Sequence, residues 1–257
     1  MTVLAILQAR TSSTRLPGKV LAPILGKPML ARQIERLRRA KTLNRLIVAT
    51  SDDTSDDALA TLCDELGVPC HRGSLDDVLA RFHGAYQACG PAEHIVRLTG
   101  DCPLADPQVI DLVVRHHLAD GADYTSNALQ PTWPDGLDVE VMRSSALLRS
   151  FSEARKPSER EHVTPYIHTN SQQFRISHVK GPRDLSSLRW TVDELCDLEF
   201  VQRVYAALYP QTPDFDTDAI LALLSQAPEL AEINTGPQRN EGYAKSLADE
   251  RAQHKPQ

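Results

Sequence analysis

The run Val3-Leu4-Ala5-Ile6-Leu7 constrains the fold of this chain more than any other stretch. Its apolar residues do not alternate with polar ones, so it suits a strand buried on both faces, as in a parallel sheet covered by helices. The residues that follow, Gln8 to Lys19, are polar and carry three cations, Arg10, Arg15 and Lys19. Pro28 and an apolar period of Met29, Leu30, Ile34 and Leu37 then predict a helix. A basic loop therefore stands where a central strand passes to the next element, the edge at which open α/β sheets bind ligands. Two guanidiniums and an ammonium this close repel one another, and an anion relieves the repulsion. Arg forks match phosphate oxygens, and Lys acts as a mobile point charge. Ser12, Ser13, Thr14 and Gly18 add small donors and let the backbone approach a ligand. A solvated basic loop is the alternative, but Pro17-Gly18 and the buried strand in front favour phosphate.

The strand–helix rhythm continues. Leu46 to Thr50 reads as a second strand, and Ser51 to Asp56 as a cap-rich cluster opening a helix with Leu59, Leu62 and Leu66, stopped at Gly67. Val68-Pro69-Cys70 reads as a third strand, and Arg72 to Val78 starts a helix with Val78, Leu79, Phe82 and Tyr86 on its apolar side. Ile95 to Thr99 is a fourth strand, and Asp106-Pro107 caps a helix over 107–118. This spacing predicts a doubly wound, mostly parallel α/β sheet. From Asp123 the pattern changes. Segments 138–142 and 174–179 alternate like strands of a mixed sheet, 144–151 and 161–168 look helical with Pro165 as a kink or stop, and 188–192 reads as the last sheet strand. Helices over 198–208 and near 219–224 follow. We expect one domain over 1–235 with an inserted β-rich subregion at about 123–180 for acceptor or dimer contacts, then a polar C-terminal tail over 236–257, frayed from 245.

A chain of 257 residues is long enough for one large α/β domain without staples. The net charge of -6 argues against a broad nucleic-acid face but allows a local basic pocket. No apolar stretch approaches the ~20 residues of a membrane span. The N-terminal apolar run stops at Gln8 and Arg10, too early for a signal peptide, so a cytoplasmic location is expected. Cys63, Cys70, Cys89, Cys102 and Cys196 are scattered and odd in number, the pattern of a reduced compartment rather than of a zinc site or disulfide framework.

Gly100-Asp101-Cys102-Pro103-Leu104 ends the fourth strand at the same predicted edge as the basic loop. A carboxylate there can hold a hard divalent cation, Gly100 permits close backbone approach, and Cys102 reads as packing. Gln8 can reach a base or ribose. In 72–81, Ser74 reads as an N-cap with Asp77 near a capping box. Arg72 and Arg81 are candidates for ligand contact, with an Arg81–Asp77 pair at i,i+4 as the alternative for Arg81. Arg160 and His162 can bind an acceptor's carboxylate or phosphate, beside a capping box of Ser158 with Glu161. Asp138 and Glu140 share one face of their strand and can line the acceptor side. Trp133 to Gly136 looks like an exposed turn, His116-His117 like one solvated and one packed histidine, and Asp197 like an early-turn helix acid.

The run from Leu7 to Lys19 resembles the first signature of the cytidylyltransferases that make CMP-activated acidic sugars. The octulosonate enzymes share a very similar Ala-Arg…Ser-Thr-Arg-Leu-Pro-Gly-Lys run, and over the whole chain the closer match of the two is the group named after spore coat polysaccharide biosynthesis protein F, the resemblance covering roughly positions 2–210. Gly100-Asp101 is similar to the family's metal-binding motif, and Trp190 to Leu198 resembles its second acidic motif. The resemblance implies a nucleotide-diphospho-sugar transferase fold, with neither a P-loop nor a Gly-x-Gly-x-x-Gly site. It implies Asp101 and Asp193 as ligands of Mg²⁺, and Lys19, Arg10 and Arg15 as catalytic groups at the phosphates. Nucleotide contacts are then expected from Gln8, Ala9, Arg10, Ser12, Ser13, Arg15, Lys19, Arg72, Asp77, Arg81, Thr99 and Gly100. Asp138, Glu140, Arg160 and His162 would face the acceptor. The expected reaction moves CMP from CTP to an acidic sugar with loss of pyrophosphate, by alignment and charge neutralisation, in a homodimer without nucleic-acid or membrane partners. Region 100–142 departs from the octulosonate enzymes, so a nonulosonic acid, another 2-keto-3-deoxy acid or a phosphonate are also open as acceptors. The rival readings are a glycosyltransferase of GT-A-like fold, which would want Asp-x-Asp where Gly100-Asp101-Cys102 stands, and a non-catalytic nucleotide-binding protein.

Overall fold

A computed structural model describes residues 1–235, 239 and 241–253. The chain opens with β1 (Val3–Gln8), a hairpin of β2 (Pro23–Ile24) and β3 (Lys27–Pro28), and α1 (Met29–Leu37). Then come β4 (Arg45–Ser51), α2 (Asp57–Glu65), β5 (Cys70–Gly73), α3 (Val78–Cys89), β6 (His94–Thr99) and α4 (Pro107–Asp120). The second half contains β7 (Tyr124–Ser126), β8 (Glu140–Arg143), α5 (Ser144–Glu153), α6 (Pro157–His162), α7 (Pro165–Thr169) and β9 (Ile176–His178). It ends with α8 (Leu195–Leu208), α9 (Thr217–Gln226) and α10 (Glu241–Gln253).

The main sheet has seven strands in the order β5-β4-β1-β6-β8-β7-β9. The pairs β5–β4, β4–β1 and β1–β6 are parallel, β8 runs antiparallel to both β6 and β7, and β9 is parallel to β7. The fold is thus the doubly wound, mostly parallel α/β sheet expected. Val3, Ala5 and Leu7 of β1 enter one apolar cluster while Leu4 and Ile6 enter the other. Each of these β1 residues is at most 2% exposed, which is why the strand reads as an unbroken apolar run.

The topology also selects the ligand edge. The chain order reverses between β1 and β6, and Gln8 stands in register with Thr99. The loops that begin at Ala9 and Gly100 therefore leave the sheet side by side at a switch point. Gly100 is required there: a Cβ would lie 2.8 Å from the Ala9 Cβ and 3.0 Å from the Gln8 oxygen, to which the Gly100 amide donates at 2.7 Å.

Several expected elements are corrected. The third strand lies two residues later than Val68-Pro69-Cys70, so it carries His71 and Arg72. The 188–192 segment is no sheet strand; it makes one isolated bridge, Arg189 to Asp135. The 161–168 helix is two short ones separated by Val163 at φ 72, a buried β-branched residue in a strained conformation. Glu159, not Glu161, closes the cap of α6 by accepting from the Arg155 and Lys156 amides, and the Ser158 amide donates to Glu250 at 2.5 Å. Residues 245–253 of the tail are helical and pack on α6, whereas 254–257 lie outside the described residues. Trp133 is half-buried against Gly181 rather than exposed. Among the described residues no helix is long and apolar enough to cross a membrane.

Candidate active site

The basic loop is shaped by contacts that fix its backbone. The buried Asp56 carboxylate accepts from the Thr11 amide and hydroxyl, both at 2.7 Å, and from Ser51. The Gly18 amide closes the loop onto the Thr11 oxygen at 2.8 Å, with Gly18 left-handed at φ 74. Desolvation alone would push Asp56 up; the hydroxyl and amide donors outweigh it and hold the carboxyl below its usual range.

Lys19 is the convergence point. Its Nζ donates to the Val192 oxygen at 2.7 Å, to Asp193 Oδ1 at 2.8 Å and to Asp101 Oδ2 at 3.4 Å. One ammonium thus joins the loop after β1, the turn after β6 and the turn before α8. Burial pulls the lysine pKa down, but Asp101 and Asp193 outweigh it and keep the group charged. Asp101 behaves reciprocally: burial raises it, and Lys19 with the Thr99 and Cys102 side chains brings it below the ordinary value. Burial beside Asp101 pushes the Cys102 thiol well up, so it is a packed neutral group. Arg15 contacts Asp193 Oδ2 at 2.9 Å and Glu241, at the start of α10, also at 2.9 Å.

The other loop residues divide. Gln8 accepts from Arg97 at 3.1 Å, and Ser13 accepts weakly from the Leu16 amide at 3.4 Å. The Ser12 hydroxyl is buried without a hydrogen-bond partner among the described residues. Thr99 accepts through its carbonyl from Gln33 at 2.7 Å. Arg10 lines a cleft of about 370 Å³ with Asp76, Asp77, Arg160 and Glu161.

Around that cleft the pairing differs from expectation. Asp77, not Ser74, caps α3 by accepting from the Ala80 amide, while Ser74 accepts from the Asp77 amide. Asp77 pairs with Arg160 at 2.5 Å rather than with Arg81. Arg81 is buried and donates to the Ser74 and Leu75 carbonyls; desolvation and the neighbouring Arg10 bring its pKa to about 10. Arg72 is drawn away to the Ser51 and Asp53 carbonyls and to Asp57.

The acceptor candidates are also separated. Glu140 is enclosed by Arg97, the Tyr124 hydroxyl at 2.5 Å and the Thr164 hydroxyl at 2.7 Å, a filled buried network rather than an open wall. Asp138, two residues earlier, precedes β8 and pairs with Arg239 at 2.7 Å. Burial, with Asp135, Glu140 and Asp101 near it, raises its pKa to about 7 against the pull of Arg239. His162 contacts Ser246 at 3.0 Å and the Tyr243 ring, both from α10. His117 is fully buried and pulled down to about 4 by desolvation, and His116 is exposed, as the sequence suggested.

Sequence reasoning missed a cluster centred on Arg189. It contacts Asp135 at 3.0 Å, Asp193 at 2.9 Å and the fully buried Asp197 at 2.9 and 3.1 Å. Asp197 is therefore more than an early-turn acid. The Asp135–Arg189 bridge depends on the turn at Gly136, φ 107, where a Cβ would meet Thr191 N and Trp190 C at 2.6 Å. Asp193 and Asp197 lie only four and eight residues after Arg189, but Asp135 comes from a turn 54 residues away, and spacing alone does not show that all three converge on one guanidinium.

Two carboxylates and a cationic loop at the switch point belong to a nucleotidyltransferase fold, as the solved structures agree. A cytidylyltransferase from Leptospira borgpetersenii superimposes with a TM-score of 0.86 at 32% identity, covering 93% of this chain and 100% of that one. A CMP:2-keto-3-deoxy-manno-octonic acid synthetase complexed with CTP shares the fold at TM-score 0.59 and 19% identity, over 80% of this chain and 99% of that one. The chain belongs to the cytidylyltransferase family, whose sequence model matches residues 4–217. It is 34% identical to spore coat polysaccharide biosynthesis protein SpsF of Bacillus subtilis, over 89% of this chain and 96% of that protein. It is 30% identical to 3-deoxy-manno-octulosonate cytidylyltransferase of Protochlamydia amoebophila, over 81% and 87% of the two chains.

Proposed function

We propose that this protein is a Mg²⁺-dependent cytidylyltransferase that transfers CMP from CTP to an acidic sugar or similar acidic acceptor, releasing pyrophosphate, for surface polysaccharide or glycan biosynthesis. The observation that carries this reading is the convergence of Lys19 with Asp101 and Asp193 where the loops after β1 and β6 meet. In this reading the acceptor hydroxyl oxygen bonds to the α-phosphorus while the bond to the pyrophosphate oxygen breaks, and the hydroxyl proton leaves to solvent. Lys19 and Arg15 exchange protein carboxylates for phosphate oxygens, and with Arg10 from the cleft wall they neutralise the charge that builds on the leaving group.

Asp101 and Asp193 offer hard oxygen donors that both reach the Lys19 ammonium, so they stand close enough to share one Mg²⁺. Among the described residues no group of three or more His, Cys, Asp or Glu could hold a metal, so the remaining ligands would come from phosphate and water. Bound there, Mg²⁺ would supply charge stabilisation at the phosphates and acidify a bound hydroxyl. Arg160 and His162 are proposed for the acceptor side and Asp138 for its rim. A homodimer and a cytoplasmic setting complete the reading; the five cysteines are all free.

The test is transfer of label from α-³²P-CTP to a panel of acidic sugars with Mg²⁺. Labelled CMP-sugar with stoichiometric pyrophosphate supports the proposal. Turnover of UDP-sugars with no product from CTP would replace it with a glycosyltransferase.

A further inference from the structure

We propose that Arg189, clamped by Asp197, is a positioning residue that keeps the Asp193 carboxylate fixed while Arg15 and Lys19 change partners from protein to nucleotide. The inference rests on the reading of Asp193 as part of a nucleotide and cation site.

Asp193 has three cationic partners. Lys19 holds Oδ1 at 2.8 Å; Arg15 and Arg189 both hold Oδ2 at 2.9 Å. Lys19 and Arg15 belong to the loop that would turn to phosphate, so in the loaded site Arg189 is the partner that stays. Its immobility is built in. Asp197 is 0% exposed and receives two bonds from the Arg189 fork, which fixes the guanidinium plane as a single point charge would not. The same Asp197 accepts from the Asp193 and Glu194 amides, both at 2.9 Å, so it anchors the backbone under the carboxylate as well. Asn234 braces the cluster, donating to Asp197 at 3.1 Å and to the Arg189 carbonyl at 2.9 Å. Arg189 also reaches Asp135, whose other oxygen faces Arg239. Side chain and peptide of Asp193 are thus both held by groups outside the cationic loop. Groups that orient a ligand in this way commonly change its metal affinity by about 10- to 100-fold.

The experiment compares the full-length wild type with Arg189→Lys and Asp197→Asn. Mn²⁺ binding is followed by electron paramagnetic resonance in the presence of CTP, CTP binding without metal by calorimetry, and folding by thermal melting. Arg189→Lys keeps the charge and loses the fork, so it serves even where Asp197→Asn does not fold. The expected result is Mn²⁺ affinity in the CTP complex lowered about 10- to 100-fold, with metal-free CTP binding changed by less than about threefold. A role confined to stability would lower the melting temperature and leave the Mn²⁺ affinity of the folded protein alone. Wild-type Mn²⁺ affinity in folded Arg189→Lys overturns the positioning role and leaves the site reading intact. Wild type that binds CTP but no Mn²⁺ overturns the cation reading, and the positioning role with it.

Discussion

The edge proposed to take phosphate and the half proposed to take the acceptor are built by different means. At the edge, sheet register does the placing: Gln8 faces Thr99 across a parallel pair, so the loops at Ala9 and Gly100 have no alternative to meeting. The acceptor half uses short strands, two one- or two-turn helices broken at Val163, and ion pairs between residues far apart in sequence. Its floor is the Arg97–Glu140 network, and its cover is α10, which contacts Arg15 and His162. A framework of parallel strands fixes where the loops carrying Lys19 and Asp101 meet, while the second half is placed by contacts between residues far apart in sequence.

The sharpest way to break this contrast is at the edge itself. Lys19→Ala or Asp101→Asn should cut pyrophosphate release on the order of 100- to 1,000-fold or more, the scale of removing a charge stabiliser from a preorganised site. Near wild-type turnover by either folded variant would remove the edge from the chemistry. In the acceptor half the leading effect should be on stability. Glu140→Gln leaves Arg97 buried beside a neutral group and should cost about 3–5 kcal/mol in denaturant unfolding. Burial pushes Glu140 up, but Arg97, Tyr124 and Thr164 outweigh it and the folded pKa is depressed. Its stabilisation is therefore present above the ordinary carboxylate range and is lost as pH falls through the folded value. A melting temperature that falls more steeply with acid in wild type than in Glu140→Gln checks this.

Asp138 has the opposite sign. Its pKa rises from 3.8 unfolded to about 7 folded, so the folded state binds the proton more tightly. Ionised Asp138 costs stability; the cost is absent below pH 4, grows toward pH 7 and is complete above it. Asp138→Asn should stabilise the protein at pH 8 by on the order of 1 kcal/mol and change little at pH 4. Equal effects at both pH values would contradict this. The smallest effect concerns the cover. Arg15–Glu241 is a partly exposed pair, of a kind worth about 0–1 kcal/mol, so Glu241→Gln should tighten CTP binding by at most about fivefold. Calorimetry showing weaker binding would mean that Glu241 supports the loop instead of competing for Arg15.

What was legible in the sequence follows the same division. The strand Val3–Gln8, the basic loop and the turn at Gly100-Asp101 carry their information locally, in an unbroken apolar run, a charge cluster and a glycine, and the doubly wound sheet followed from their spacing. Arg81 donates to the Ser74 and Leu75 carbonyls instead of pairing with Asp77, and Arg72 reaches two carbonyls and Asp57, a competition that spacing does not reveal. Glu140 looked like a wall residue because strand alternation gives a face and not a partner; Arg97 and Thr164 lie 43 and 24 residues away. Segment 188–192 has strand-like residues but pairs only through Asp135–Arg189, because its polar groups turn to Lys19, Asp101 and Asn234. Helix α10 has weak apolar periodicity, so its docking on α6 depended on contacts that the tail composition hides.

The most direct test of the central claim, that the paired loops after β1 and β6 form a CTP site, is thermal stability with CTP, UTP, ATP or GTP, each with and without Mg²⁺. A ligand at ~100 times its dissociation constant adds about 2.7 kcal/mol. A stabilisation selective for CTP, larger with Mg²⁺ and lost in Lys19→Ala, is the predicted result. No stabilisation by any triphosphate, or one that survives Lys19→Ala unchanged, would contradict it.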